Sequence, residues 1–211
     1  MKQTNIFKPT STKSYLLLLF WLALILFAGN YIVKDALQYF GFTEEIYGRF
    51  WNQKWALIGH VTGGLLALLI GPFQFWKAFR MKYMTTHRNM GKVYLIAILV
   101  GALSSTILAW TTAVAIHWTW AVSLQALAFA WLVTAAMAYI SIRRKSINQH
   151  KEWMVRSYVV TFGFVFFRFL NGSDFFREMG NFIERGPTIG WLAWTIPLLI
   201  AEVFLQWGKR D

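Results

Sequence analysis

No formally charged residue occurs from Val93 to Ile140, a run of 48 residues. A bilayer core takes about 20 apolar residues per helical crossing. The run therefore predicts two crossings, and with them a membrane bundle rather than a soluble fold. The break between them falls at Ile116-His117-Trp118-Thr119-Trp120. A histidine and two tryptophans prefer the membrane–water boundary over the hydrocarbon. Spans three and four are thus read as a tight hairpin.

Four more apolar runs complete the set. Span one is expected over about residues 14–33, span two over 55–76, span five over 153–171 and span six over 187–207. A basic start followed by an apolar run also describes a signal peptide. Here the run is long, and Ala28-Gly29-Asn30 is a poor cleavage site, so the first helix is read as retained. Between spans five and six, Phe175, Phe176, Met179, Phe182 and Ile183 recur at helical spacing. That pattern predicts a short amphipathic helix on the membrane surface. The fold class is all-α, a six-helix transmembrane bundle. It comprises a tail (1–13), one transmembrane domain (14–207) and a second tail (208–211).

The charges sort by side. The N-terminal tail, the 77–92 loop, the 141–156 region and the C-terminal tail carry fifteen of the 21 basic residues. The opposite connections carry five basic and six acidic residues. The positive-inside rule then places both termini in the cytoplasm. This distribution accounts for the net charge of +12 without a nucleic-acid partner. Anionic lipids on the cytoplasmic side are the expected counterions, and a bacterial inner membrane is the expected location. Cysteine is absent, which removes disulfides, thiolate metal sites and cysteine nucleophiles.

Chemistry must then rest on histidines and intramembrane charges. In residues 59–74, His60, Gly63, Gly64, Ala67, Gly71 and Gln74 share one face of a 3.6-residue period. That face suits a close helix seam. It equally suits a site, because an imidazole inside a membrane is a functional candidate. His87 and His150 sit at the basic ends of spans three and five, each followed by a basic residue, Arg88 and Lys151. Arg168 lies 18 residues after His150, five helical turns and roughly 27 Å of rise, at about the depth of His60. A lipid-facing arginine is costly, so Arg168 should face inward, toward Asp174, a backbone carbonyl or an anionic ligand. Arg156 and Glu202 are expected to pair and tie span five to span six. His117 is expected at the interface beside Trp118 and Trp120.

Histidines with glycines on the same face resemble a b-type haem site, where imidazole ligates iron and an arginine neutralises a propionate. On this reading His60, His87 and His150 are candidate metal ligands. Arg88 and Arg168 join them as cofactor-binding residues, and haem b is the candidate cofactor for electron transfer. No Gly-x-x-x-x-Gly-Lys loop, His-Glu-x-x-His helix or Gly-x-Ser-x-Gly elbow is present. Paired broken helices of the transporter kind are not evident either, although Gly29-Asn30, Pro72 and Pro197 are candidate break points in spans one, two and six.

The set Gly59-His60, Gly63-Gly64, Gly71-Pro72-x-Gln74, His87-Arg88-x-x-Gly91-x-x-Tyr94 and His150-x-x-Trp153-Met154-x-Arg156-Ser157, with Arg168 late in the same span, resembles a family of bacterial membrane proteins, domain of unknown function 2306. The likeness covers about residues 55–170. It implies a multi-span fold and singles out these positions, but it implies no activity. A more distant likeness, to cytochrome b-561-type haem bundles, rests on histidines spread over neighbouring spans. The functional expectation is a redox-cofactor protein. The alternatives are a membrane scaffold or assembly factor, and a small-molecule or ion permease lined by His60 and Arg168. Whether it is an enzyme, and whether a redox partner or a second copy binds it, stays open at this level.

Overall fold

The computed structural model describes residues 12–207 and residue 209. The expected 1–13 tail lies outside these except for its last two residues, as does most of the 208–211 tail. Helix α1 (Thr12–Tyr31) runs into a π-helical turn (Ile32–Ala36) and a 3-10 turn (Leu37–Gly41). The short α2 (Glu44–Tyr47) and a second 3-10 segment (Gly48–Gln53) lead into α3 (Lys54–Phe75). The amphipathic α4 (Lys77–Lys82) precedes α5 (Met84–Leu108), which ends in a π turn (Ala109–Ala113). Then follow α6 (Trp118–Arg143), α7 (Ile147–Thr161), α8 (Gly163–Gly172), α9 (Asp174–Arg177) and α10 (Phe182–Gln206).

Six of these segments are long and apolar enough to cross a membrane: Leu18–Gly41, Glu44–Phe75, Met84–Ala113, Trp118–Arg143, Ile147–Gly172 and Phe182–Gln206. The uncharged run divides where its aromatic residues indicated. α6 starts at Trp118, and the His117 side chain accepts the Thr119 backbone N–H as its N-cap. His117 is therefore a capping residue, held further by Thr119 Oγ1 at 2.7 Å. Six crossings return both ends of the described chain to one side. Lys209 there reaches Glu152 at 2.9 Å.

Three features depart from the periodicity. Span five is two helices, since Phe162 forms a turn between α7 and α8. The surface helix expected over 171–186 is a single turn, α9. Gly180 adopts φ +136, and Asn181 and Glu184 form a reciprocal capping box that starts span six early. The connection over 34–54 is helical rather than open. Its Tyr47 is buried and donates its hydroxyl to Tyr39 O at 2.8 Å, and Thr43 caps α2.

Spans two and three make the closest seam. A Cβ on Gly63 would overlap the Ala97 carbonyl of α5, and a Cβ on Gly59 would lie 2.6 Å from Ser104 Oγ. Small residues permit this approach, which is how helices associate where lipid offers no hydrophobic drive. Gly71 receives the ring of Tyr158 from span five. Gly101 leaves room for the ring of Trp131 from span four, 3.0 Å from its would-be Cβ. The core thus centres on Tyr94, Ile98, Trp131, Tyr158 and their neighbours. Span one is peripheral: Phe27 packs on Phe166 and Phe169 of α8, and Trp21 on Phe75 of α3.

At the opposite end from the 34–54 connection, Arg156 makes the expected pair with Glu202. Its Nε and Nη2 donate at 2.8 and 2.9 Å. Glu152 at 3.7 Å and the Trp153 ring at 4.7 Å complete its surroundings. Lys209 extends the ion network through Glu152.

Candidate functional site

A cavity of about 150 Å³ lies inside the bundle, toward the end covered by the 34–54 connection. His60 of α3, Trp131 of α6, Thr161 of α7, Arg168 of α8 and Asp35 of the first π turn all line it. Its walls are otherwise mainly apolar and aromatic, with a few convergent polar groups, the general character of a small-molecule site.

His60 is positioned by the close seam. Its Nδ1 lies 3.1 Å from Gly101 O, and a carbonyl oxygen only accepts, so Nδ1 carries a proton. Nε2 makes no hydrogen bond among the described residues. Trp131 and Phe164 stand edge-on to the ring, with centroids 6.4 and 6.0 Å away. The imidazole is thereby fixed in orientation, with its second nitrogen available to the cavity side.

Arg168 reaches the same cavity from span five. Its nearest acid is Asp35, at 3.8 Å from Nη1, rather than Asp174. That separation is longer than a hydrogen bond. The guanidinium carbon lies 5.5 Å from the Phe164 ring centroid. Its Nε is buried and has no partner among the described residues.

Trp131 and Thr161 of the cavity wall belong to a hydrogen-bonded chain that runs across spans three, four and five. Trp131 Nε1 donates to Thr161 Oγ1 at 2.9 Å. Tyr94 OH lies 3.3 Å from Thr161 Oγ1 and 3.0 Å from Ser157 Oγ. Thr161 Oγ1 donates to Ser157 O at 2.8 Å. Tyr94 and Ser157 belong to the positions singled out by the family resemblance, and Thr161 lies one helical turn beyond Ser157. Trp131 was missed, and its signal is a tryptophan placed mid-span instead of at a boundary. Asp35 and Tyr39 were missed because residues 34–54 had been assigned to a connection, and Tyr31 because it closes span one as an aromatic at the boundary.

The remaining candidates lie at the other end. His150 donates Nδ1 to Ala138 O at 2.9 Å, a tie between spans five and four. His87 is within electrostatic reach of His150, Arg80 and Arg88, and its Nδ1 is buried without a partner among the described residues. Arg88 is exposed. The site candidates therefore divide: His60 and Arg168 share a cavity, while His87, Arg88 and His150 do not line it.

This division bears on haem. His60 is the one histidine lining the cavity, so paired histidine ligation does not fit there. The glycines that would have made space for a macrocycle are filled, Gly63 by α5 and Gly71 by Tyr158. Only Gly64 on that face opens into the cavity, whose volume falls below the roughly 300–1,000 Å³ of drug-sized ligand pockets. No group of three or more metal-ligating His, Asp or Glu side chains occurs among the described residues.

Six apolar helices long enough to cross a membrane, a helical core and a small internal chamber with a few polar groups define an integral membrane protein of the helical-bundle class. The chain belongs to the family described as predicted membrane protein (DUF2306), whose family model matches residues 57–205. The match extends beyond the expected 55–170 through most of span six. No curated protein and no solved structure matches the chain.

Proposed function

We propose that this protein binds a small amphipathic molecule within the membrane, in the cavity between spans two, four and five. The carrying observation is that His60 and Arg168, from different spans, line one chamber whose other walls are mainly apolar. Apolar walls take the ligand body, while the imidazole Nε2 and the guanidinium fix its polar head. Trp131 and Thr161, which bound the chamber, are hydrogen-bonded to each other and, through Tyr94, across three spans. Transport would require that network to part; binding does not. The charge asymmetry of the loops supports an orientation with the chamber toward the non-cytoplasmic side of a bacterial inner membrane.

The test is thermal unfolding of the purified protein in detergent with hexanoate, hexanamide and hexanol as probes. A probe at a hundred times its Kd adds about 2.7 kcal/mol to folded-state stability. Gly64→Leu fills the chamber from a position with no atom within 4 Å of its would-be Cβ. A rise in melting temperature that disappears in Gly64→Leu supports the proposal. No rise with any probe, or an equal rise in Gly64→Leu, overturns it.

A redox cofactor held by His60 alone is the second reading. It is favoured by the Nδ1 bond to Gly101 O, because metal-bound histidines donate their other ring N–H to such an oxygen. An absorption spectrum of protein purified from haem-replete cells decides it. A stoichiometric Soret band that shifts on reduction and is lost in His60→Ala supports this reading, and a colourless folded preparation removes it.

A further inference from the structure

We infer that the ligand of this cavity carries an anionic group, and that Asp35 holds that group's place beside Arg168 while the cavity is empty. The inference rests on the small-molecule reading above and specifies the ligand class and the gating of the same site.

The first ground is the incomplete state of the Arg168 pair. Arg168 and Asp35 are 3.8 Å apart, and their side chains remain 38% and 31% exposed. An arginine can form two parallel hydrogen bonds with a carboxylate or phosphate. Asp35 makes no direct hydrogen bond to Arg168 among the described residues, and Arg168 Nε is buried with no partner there. The guanidinium is thus not saturated by hydrogen bonds among the described residues.

The second ground is the charge around it. Asn171 lies one turn beyond Arg168 on α8, and Arg185 of α10 donates Nη1 to Asn171 O at 3.4 Å. Arg185 Nε is also buried without a partner among the described residues. Among the described residues Asp35 is the one acid paired with Arg168, at 3.8 Å, and no acid pairs with Arg185. An added anion at Arg168 would meet a cation whose counterion stands off beyond hydrogen-bond distance, whereas a neutral head would leave that cation as it is.

The third ground is the attachment of Asp35. It sits in the π-helical turn Ile32–Ala36 after α1, and π turns recur at functional sites. The arginine belongs to the family-matched residues 57–205, and its counterion does not. The peripheral span thereby supplies a removable carboxylate to a fixed cation. A ligand anion that engages Arg168 displaces it and leaves Asp35 to water at the rim.

The experiment compares affinities for hexanoate, its neutral amide hexanamide and inorganic phosphate, by calorimetry in detergent, for wild type, Asp35→Asn, Asp35→Glu and Arg168→Gln. Wild type should bind hexanoate and not hexanamide. Arg168→Gln should lose the preference. Asp35→Asn should bind hexanoate about two- to fivefold more tightly, the range expected on removing a partly exposed competing ion pair. Asp35→Glu should stay near wild type, which separates loss of charge from damage to the fold. Phosphate binding without hexanoate binding would reassign the anion to a phosphate and keep the displacement. Equal binding of hexanoate and hexanamide overturns the anionic class while leaving the small-molecule reading in place. Weaker or unchanged anion binding in Asp35→Asn overturns the displacement. Absence of all three probes from wild type overturns both this inference and the reading beneath it.

Discussion

Tyr158 of span five sets its ring into the space left by Gly71 of span two, and its hydroxyl donates to Leu68 O, 3.1 Å away on the same helix. One side chain thus fills a groove and satisfies a backbone acceptor. The sequence marks Gly71 as a point of close approach but does not reveal what approaches.

Gly71→Ala should destabilise the protein by about 1–3 kcal/mol, the usual range for overpacking. Gly64→Ala, with no atom within 4 Å of its would-be Cβ, should change stability little. Melting temperatures of the two variants in one detergent check the contrast. Equal effects would mean that the Tyr158 insertion does not govern the seam.

Tyr94→Phe removes a hydroxyl shared by Ser157 and Thr161 and keeps the ring. Interhelical hydrogen bonds in membranes average about 0.6 kcal/mol. A loss of about 0.5–1.5 kcal/mol is expected, read as a fall in melting temperature. A Tyr94→Phe/Thr161→Val double variant should lose less than the sum of the two, because the residues share one network.

The Arg156–Glu202 pair ties span five to span six. Arg156 is mostly covered but Glu202 is not, so solvent screening keeps its worth small. A double-mutant cycle with Arg156→Gln and Glu202→Gln should give a coupling of about 0.5–1 kcal/mol, shrinking with added salt. A coupling that is insensitive to salt would contradict that account.

The chain contains no cysteine, so single cysteines can be introduced without background. Asn52→Cys, at the cavity end, should react with a membrane-impermeant thiol reagent applied to intact cells. Lys145→Cys, in the opposite loop, should react only after the membrane is opened. The reverse pattern would invert the assigned orientation.

Much of the architecture was legible in the sequence because a bilayer enforces length and charge so strictly. The hairpin break at His117, the six spans and the Arg156–Glu202 pair all follow from those rules. The site was half legible. The His60 face was marked, but its glycines serve packing at Gly63 and Gly71 and leave open space only at Gly64. Arg168 was expected to turn inward, toward Asp174, a backbone carbonyl or an anionic ligand. Its partner is Asp35, because the 34–54 segment folds back in helical turns over the cavity. Balanced charges marked that segment only as a connection. Its Ala36 and Tyr47 are buried in one cluster with Leu57, Val61 and Leu108, long-range contacts that a local pattern does not carry. The early start of span six was also readable, in Asn181 and Glu184 at capping-box spacing.

The peripheral position of span one has a consequence for biogenesis. It precedes the other described spans along the chain, yet Phe27 finds its aromatic partners Phe166 and Phe169 only in span five. Asp35 likewise meets Arg168 only when that span has been made. Until then the leading helix meets only spans two and three, through Trp21 and Ala36, and Asp35 stands without its cation. The chamber is closed by its earliest and its late-made parts, so no nascent chain short of span five holds a complete binding site.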